Sequence, residues 1–196
     1  MAAPKPIDER KRLKVLWQYE VLDTVPEEMF DDLTELAASI CGAPIALVSL
    51  VDEDRQWFKS AQGISRRETT RDISFCAHAI CQPDLFVIPD THRDARFRDN
   101  PLVTRAPRIR FYAGSPLVTA DGYALGTLCV LDRKPRRLTV FQKRALQLLS
   151  RVVITQLELR RHARVPVIIG KPAAKRPPTR RIQASVRATA RRSKRA

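Results

Sequence analysis

Ile45-Ala46-Leu47-Val48-Ser49-Leu50-Val51 is a run of seven residues with one hydroxyl and no charge. A strand with one wet face alternates polar and apolar residues, so a strand apolar throughout must be covered on both sides. The chain therefore needs a layer on each face of its sheet. Asp52-Glu53-Asp54 turns this strand into Arg55–Ser60, and the pair reads as a hairpin that Gly63 ends. Ser65–Asp72 is a polar, arginine-rich connection. Leu85–Ile88 is a short strand, and Pro89, which has no N–H to donate, fits its end. Ile109–Thr119 and Ala124–Leu131 form a second hairpin, turned at Asp121-Gly122.

The covering layers come from the rest of the chain. Asp8–Leu22 reads as a helix with Leu13, Leu16, Trp17 and Val21 on one face. A second helix follows, with Thr24 and Glu27 in capping-box spacing and Pro26 in its first turn. Its stripe is Phe30, Leu33, Ala37 and Ile40, and Gly42 with Pro44 ends it. Thr139 caps a last helix with the stripe Phe141, Ala145, Leu148, Leu149, Val152 and Leu157. Ile73–Cys81 has room for one or two helical turns, and 92–105 is irregular. The sum is an α+β domain: an antiparallel five-stranded sheet with the N- and C-terminal helices on one face, and the short helix plus the loops of 73–108 over the other. A pocket between sheet and loop-built cover is the expected ligand site. Residues 1–7 are expected to be disordered, 8–161 to form the domain, and 162–196 to be a disordered basic tail.

Charge narrows the partners. The net charge is +15, but residues 163–196 hold eleven Lys/Arg and no Asp or Glu. The remainder carries 15 − 11 = +4, so the basicity belongs to the tail and not to the fold. Arg180, Arg181, Arg191, Arg192, Lys194 and Arg195 would bind nucleic acid non-specifically by counterion release, with no aromatic in the tail to read a base. A merely solvated extension is the equal alternative. No apolar run reaches the ~18 residues of a membrane span, and charges at 8–12 occupy the place of a signal-peptide core. A cytoplasmic protein with reduced thiols at Cys41, Cys76, Cys81 and Cys129 is expected.

The order of short motifs resembles a known family. Leu22-Asp23-Thr24 with Pro26-Glu27 and Phe30-Asp31, then Pro44–Asp52, Arg55–Ser60 and Ser74–Ile80, are similar to bacterial GAF domains. Asp94 with Arg96-Phe97, Asn100–Val103, Arg110–Gly114 and Leu125–Asp132 continue the likeness to about residue 161. The variety is that joined to sensor histidine kinases and diguanylate cyclases. The resemblance implies a non-enzymatic small-molecule sensor in signal transduction that reports through its terminal helices, often as a homodimer. It names neither ligand nor cofactor. With only a basic tail after the domain, output is expected to run through a signalling partner protein, dimerisation or the tail.

The stretch Ser74–Cys81 concentrates reactive side chains: Phe75, Cys76, His78 and Cys81. Neither helical nor strand geometry converges Cys76, His78 and Cys81, and no CxxC or HxxxH pair supports a metal. Bilin-binding relatives place Cys and His adjacent, whereas Ala77 intervenes here. A free methionine sulfoxide reductase-like enzyme is the alternative, with Cys76 as nucleophile. Its resolving thiol is missing from 91–110, and Cys81 would serve only if the helix bends. The favoured reading makes this stretch a pocket wall: Phe75, Cys76 and Ala79 face a ligand, and His78 donates to a backbone carbonyl or to Asp90. Phe58, Phe97, Phe111, Tyr112 and Cys129 complete the candidate lining, with Arg96 and Asn100 as polar anchors. The cyclic-nucleotide motif of phosphodiesterase GAF domains, a P-loop and a GxGxxG fingerprint are all absent.

Overall fold

In a computed structural model, residues 3–163 are described. The disorder and the nucleic-acid contacts expected of the tail lie outside these residues. The order of elements is α1 (Glu9–Gln18), α2 (Glu28–Cys41), β1 (Ile45–Val51), β2 (Arg55–Gln62), β3 (Glu68–Thr70), α3 (Phe75–Ala79), β4 (Phe86–Ile88), α4 (Pro101–Thr104), β5 (Phe111–Val118), β6 (Ala124–Asp132) and α5 (Val140–Ala163). Single 3-10 turns at Arg71–Ile73 and Thr91–Arg93 join them.

The sheet is antiparallel throughout, in the order β3-β2-β1-β6-β5-β4. It has six strands where the sequence indicates five. The extra one, β3, pairs with Arg55–Trp57 through the backbone and through an Arg55–Glu68 ion pair at 2.9 Å, and its Glu-Thr-Thr sequence has no apolar signature. Both edges are three residues long, which leaves little unpaired backbone exposed. β1 lies between β2 and β6, buried at all seven positions as its composition requires.

Alternation along the strands divides the core in two. Ala46, Val48, Leu50, Trp57, Phe111 and Val130 pack under α1, α2 and α5. Ile45, Leu47, Phe58, Tyr112, Cys129 and Leu131 pack under α3, Phe97 and Val103. Ala3 is buried in the second cluster, while Pro4, Lys5 and Ile7 are exposed.

Three helical details depart from the sequence reading. α1 stops at Gln18 rather than Leu22, because Glu20 and Asp23 adopt positive φ of 46° and 59°. Thr24 and Glu27 form no capping box, since both side chains accept hydrogen bonds from the buried Lys59 ammonium, at 2.9 and 2.6 Å. Gly42 does close α2, in the left-handed conformation at φ 58°. In α5, Thr139 and Gln142 cap each other reciprocally. Its docked face is Leu146, Leu149, Ser150, Val153 and Leu157. Of the stripe read from sequence only Leu149 and Leu157 belong to it; Phe141, Leu148 and Val152 face outward.

Candidate functional site

Between the second face of the sheet and its cover lies a cavity of 740 Å³, within the range of small-molecule pockets. Its floor is Ile45 and Leu47 of β1, Phe58 of β2, Tyr112 of β5 and Leu131 of β6, all buried. Phe75 and Cys76 of α3 make one wall, and Leu102 with Ala106–Ile109 makes another. Ser74 positions α3 by accepting a hydrogen bond from the Ala77 N–H at 3.0 Å, and it also bonds Gln56 of β2. Asn100 fixes the far wall: its Oδ1 accepts from the Leu102 N–H at 2.8 Å, and its Nδ2 donates to the Ile73 carbonyl at 2.9 Å.

The polar part of the lining is one-sided. Arg66, Arg108 and Arg133 contribute exposed guanidinium groups, and no Asp or Glu lines the cavity. Arg133 donates to the Pro107 carbonyl at 3.2 Å, and Arg66 and Arg108 form no ion pair among the described residues. The Thr69 hydroxyl, also in the lining, is buried without a hydrogen-bond partner among the described residues. An unpaired buried hydroxyl costs about 1–3 kcal/mol, so a ligand acceptor or donor there would be favoured. The arrangement suits a molecule with an apolar body and an anionic group.

Behind the Phe75 wall lies a compact sulfur-centred cluster. Cys76 Sγ accepts from the Thr127 hydroxyl at 3.1 Å and from the Tyr112 hydroxyl at 3.4 Å, and it lies 3.8 Å from Cys129 Sγ. Burial pushes the Cys76 thiol up, but hydrogen bonds from Cys129, Thr127 and Tyr112 outweigh it and bring it down to about 7. Burial and the neighbouring Cys76 sulfur push Cys129 well above the ordinary thiol range.

The sequence model of the GAF domain matches residues 25–160. The chain belongs to the GAF domain family. A cyclic di-GMP phosphodiesterase of Pseudomonas aeruginosa is 47% identical over 133 residues, which are 68% of this chain and 23% of that protein. The chain thus spans about a quarter of that relative's length. Among solved structures, a domain of a putative two-component sensor histidine kinase from Sinorhizobium meliloti superposes with TM-score 0.55 at 15% identity, over 70% of this chain and 94% of that one. A free methionine-R-sulfoxide reductase from Neisseria meningitidis superposes with TM-score 0.57 at 16% identity, over 79% and 90%. At these identities the two structures share the fold.

Of the candidate residues read from sequence, the GAF cavity takes Phe58, Phe75, Cys76 and Tyr112. Cys129 stands behind Cys76. Ala79 and Phe97 are buried in the cover without lining the cavity, and Phe97 packs on Phe75 with ring centroids 4.9 Å apart. Phe111 belongs to the opposite face of the sheet, under the helices, because it precedes Tyr112 by one residue. His78 makes an edge contact with Phe97 at 4.7 Å and forms no hydrogen bond with Asp90. Asp90 is held by Arg110 through two bonds of 3.0 and 2.9 Å, beside a separate surface groove. Arg96 pairs with Asp94 at 2.6 Å and lies over the Phe86 and Phe97 rings, and Asn100 is a strut. Neither lines the cavity. The cations that do line it, Arg66, Arg108 and Arg133, escape sequence reading, since only the fold shows which arginines lack a carboxylate. Among the described residues no cluster of His, Cys, Asp and Glu is placed to hold a metal, and no helix is long and apolar enough to cross a membrane.

Proposed function

We propose that this GAF domain is a non-enzymatic sensor whose ligand is a small amphipathic anion, a carboxylate or phosphate ester with an apolar body. The observation that carries the reading is the cavity itself: an aromatic and aliphatic floor with three guanidinium groups and no carboxylate in the lining. The relation to a protein named as a cyclic di-GMP phosphodiesterase supports a regulatory role, with this chain corresponding to a minor part of that length.

Two ionic nodes provide a route from cavity to helices. Arg71, in the turn before α3, donates to Glu9 of α1 at 2.5 Å, and Glu9 also accepts from Arg12 at 2.8 Å. At the other end of α1, Arg160 of α5 donates to the Tyr19 and Glu20 carbonyls and to Glu27. Ligand-driven movement of the cover therefore bears on α1, and α1 on α5. The output surface in this proposal is the outward face of α5. Phe141, Ala145, Leu148, Val152, Thr155 and Leu159 follow at alternating steps of four and three residues, the spacing of a coiled-coil seam. A second copy of the chain is the occupant, packing the seam on itself, and ligand binding changes that pairing.

Native mass spectrometry of protein purified from its own host tests the sensor reading. A co-purifying anionic small molecule, lost from a Phe58→Trp variant with a filled cavity, is the expected result. A cavity that stays empty, together with no thermal shift from any apolar carboxylate or phosphate ester, would overturn it.

A further inference from the structure

The sensor reading uses Cys76 only as wall, yet the structure surrounds its sulfur with more than packing. Cys76 on α3 and Cys129 on β6 come from opposite layers and meet at 3.8 Å. Two hydroxyl groups aim their donors at Cys76 Sγ: Thr127 from β6 and Tyr112 from β5. Gly114, two residues beyond Tyr112 on the same face, leaves bare the space that the Tyr112 hydroxyl occupies; a Cβ there would collide with it. The Ser49 hydroxyl of β1, opposite Thr127 in the sheet register, is buried with no hydrogen-bond partner among the described residues. A sulfur ringed by donors, contacting a second thiol and forming part of a cavity wall, is built for chemistry as an anion.

We propose that Cys76 and Cys129 are a peroxide-reactive dithiol: a hydroperoxide entering the cavity oxidises Cys76 to a sulfenic acid, which Cys129 converts to a disulfide. In the first step the Cys76 sulfur attacks the distal peroxide oxygen, an S–O bond forms and the O–O bond breaks. The proton of the Cys76 thiol, passed through the Tyr112 or Thr127 hydroxyl, goes to the departing alkoxide, which leaves as alcohol. In the second step Cys129 attacks the Cys76 sulfur, the S–O bond breaks, and hydroxide leaves with the Cys129 proton as water. The dithiol loses two electrons and the peroxide gains them.

The two thiols divide the roles. The lowered Cys76 supplies thiolate near neutral pH, and the raised Cys129 stays protonated until the sulfenic acid is formed. Cys41 is pushed up to about 11 by burial, and burial also raises Cys81, so both hold little thiolate. A hydroperoxide is the oxidant that fits. A sulfoxide needs an acid to protonate its oxygen, and the cavity lining offers no carboxylate. Closing the pair to the ~2.05 Å of a disulfide draws α3 toward β6. The adjoining Arg71–Glu9 bond would carry that displacement to α1.

The experiment treats the reduced full-length chain with stoichiometric cumene hydroperoxide, then alkylates it and maps the peptides without reductant. The expected product is a Cys76–Cys129 cross-link that dithiothreitol reverses, formed at a rate that rises with pH around a midpoint of about 7. Cys129→Ser should stop at a dimedone-trappable sulfenic acid on Cys76, and Cys81→Ser should leave the rate within about twofold of wild type. The wild-type map decides alone if Cys129→Ser does not fold. Oxidation confined to Cys41 or Cys81 would overturn the proposal. So would a dithiol closed by free methionine sulfoxide and not by hydroperoxide.

Discussion

Replacing Glu9 by Gln isolates the charge at the node between α1 and the cavity cover. Glu9 accepts from Arg12 and from Arg71, whose side chains are almost fully buried, and its own side chain is 13% exposed. Burial opposes its ionisation, but the two guanidinium groups outweigh burial and hold the carboxyl at about 2 against an ordinary 4.5. At roughly 1.4 kcal/mol per unit, that difference corresponds to about 3 kcal/mol, or about 2 kcal/mol after allowance for solvent screening. The folded-state value lies below the unfolded one. The stabilisation is therefore complete above about 4.5 and fades as pH falls toward 2; at pH 3 roughly two-fifths of it remains. Urea titrations of wild type and Glu9→Gln at pH 7, 5 and 3 read this directly. The gap between the proteins should be about 2 kcal/mol at pH 7 and 5, and about 1 kcal/mol at pH 3. A gap independent of pH would refute the reasoning and assign the effect to lost packing.

Other perturbations test other parts of the structure. Val152→Glu puts a charge in the exposed seam of α5; it should leave unfolding within about 0.5 kcal/mol of wild type while converting a dimer to monomer in light scattering, and a monomeric wild type at high micromolar concentration would remove the seam's proposed role. Lys59→Ala removes a fully buried ammonium shared by Thr24, Val25 and Glu27. A loss of about 3–5 kcal/mol is expected in chemical denaturation, and a loss below ~1 kcal/mol would mean that Arg160 alone satisfies Glu27. Gly126→Ala drives a Cβ into the Ser49 backbone of the neighbouring strand; a destabilisation of about 1–3 kcal/mol should appear as a lowered urea midpoint. Arg108→Ala, at an exposed position in the lining, should weaken binding of an anionic ligand about tenfold without shifting the thermal midpoint of the free protein.

The layers of the fold are legible because their signals are local. Seven consecutive buried positions in β1 follow from a run with no charge, and Gly42 takes the left-handed cap that ends α2. What the sequence hides is competition at a distance. Thr24 and Glu27 have capping-box spacing, but an ammonium 32 and 35 residues along the chain takes both side chains. α5 illustrates a second limit. It carries two apolar faces, and periodicity cannot say which one meets the sheet. β3 has no apolar periodicity to read, because backbone bonds and the Arg55–Glu68 ion pair hold it to β2.

The candidate site divides in the same way. Phe58, Phe75, Cys76 and Tyr112 are readable as cavity residues from strand alternation and from the short helix of the cover. The rim arginines are not, since an arginine becomes a candidate anchor only when the folded chain brings it no carboxylate. The thiols make the sharpest case. A resolving cysteine sought in the loop 91–110 is absent there, yet a second thiol, Cys129, stands 3.8 Å from Cys76 on β6, more than fifty residues away in sequence. Register creates that proximity: Cys129 pairs with Leu47 on one side and Gly114 on the other, and so shares the face that α3 covers. A one-residue slip of β6 would turn Cys129 toward the helices and leave Cys76 without its partner. The register that builds the cavity floor is thus also what makes a dithiol of two cysteines.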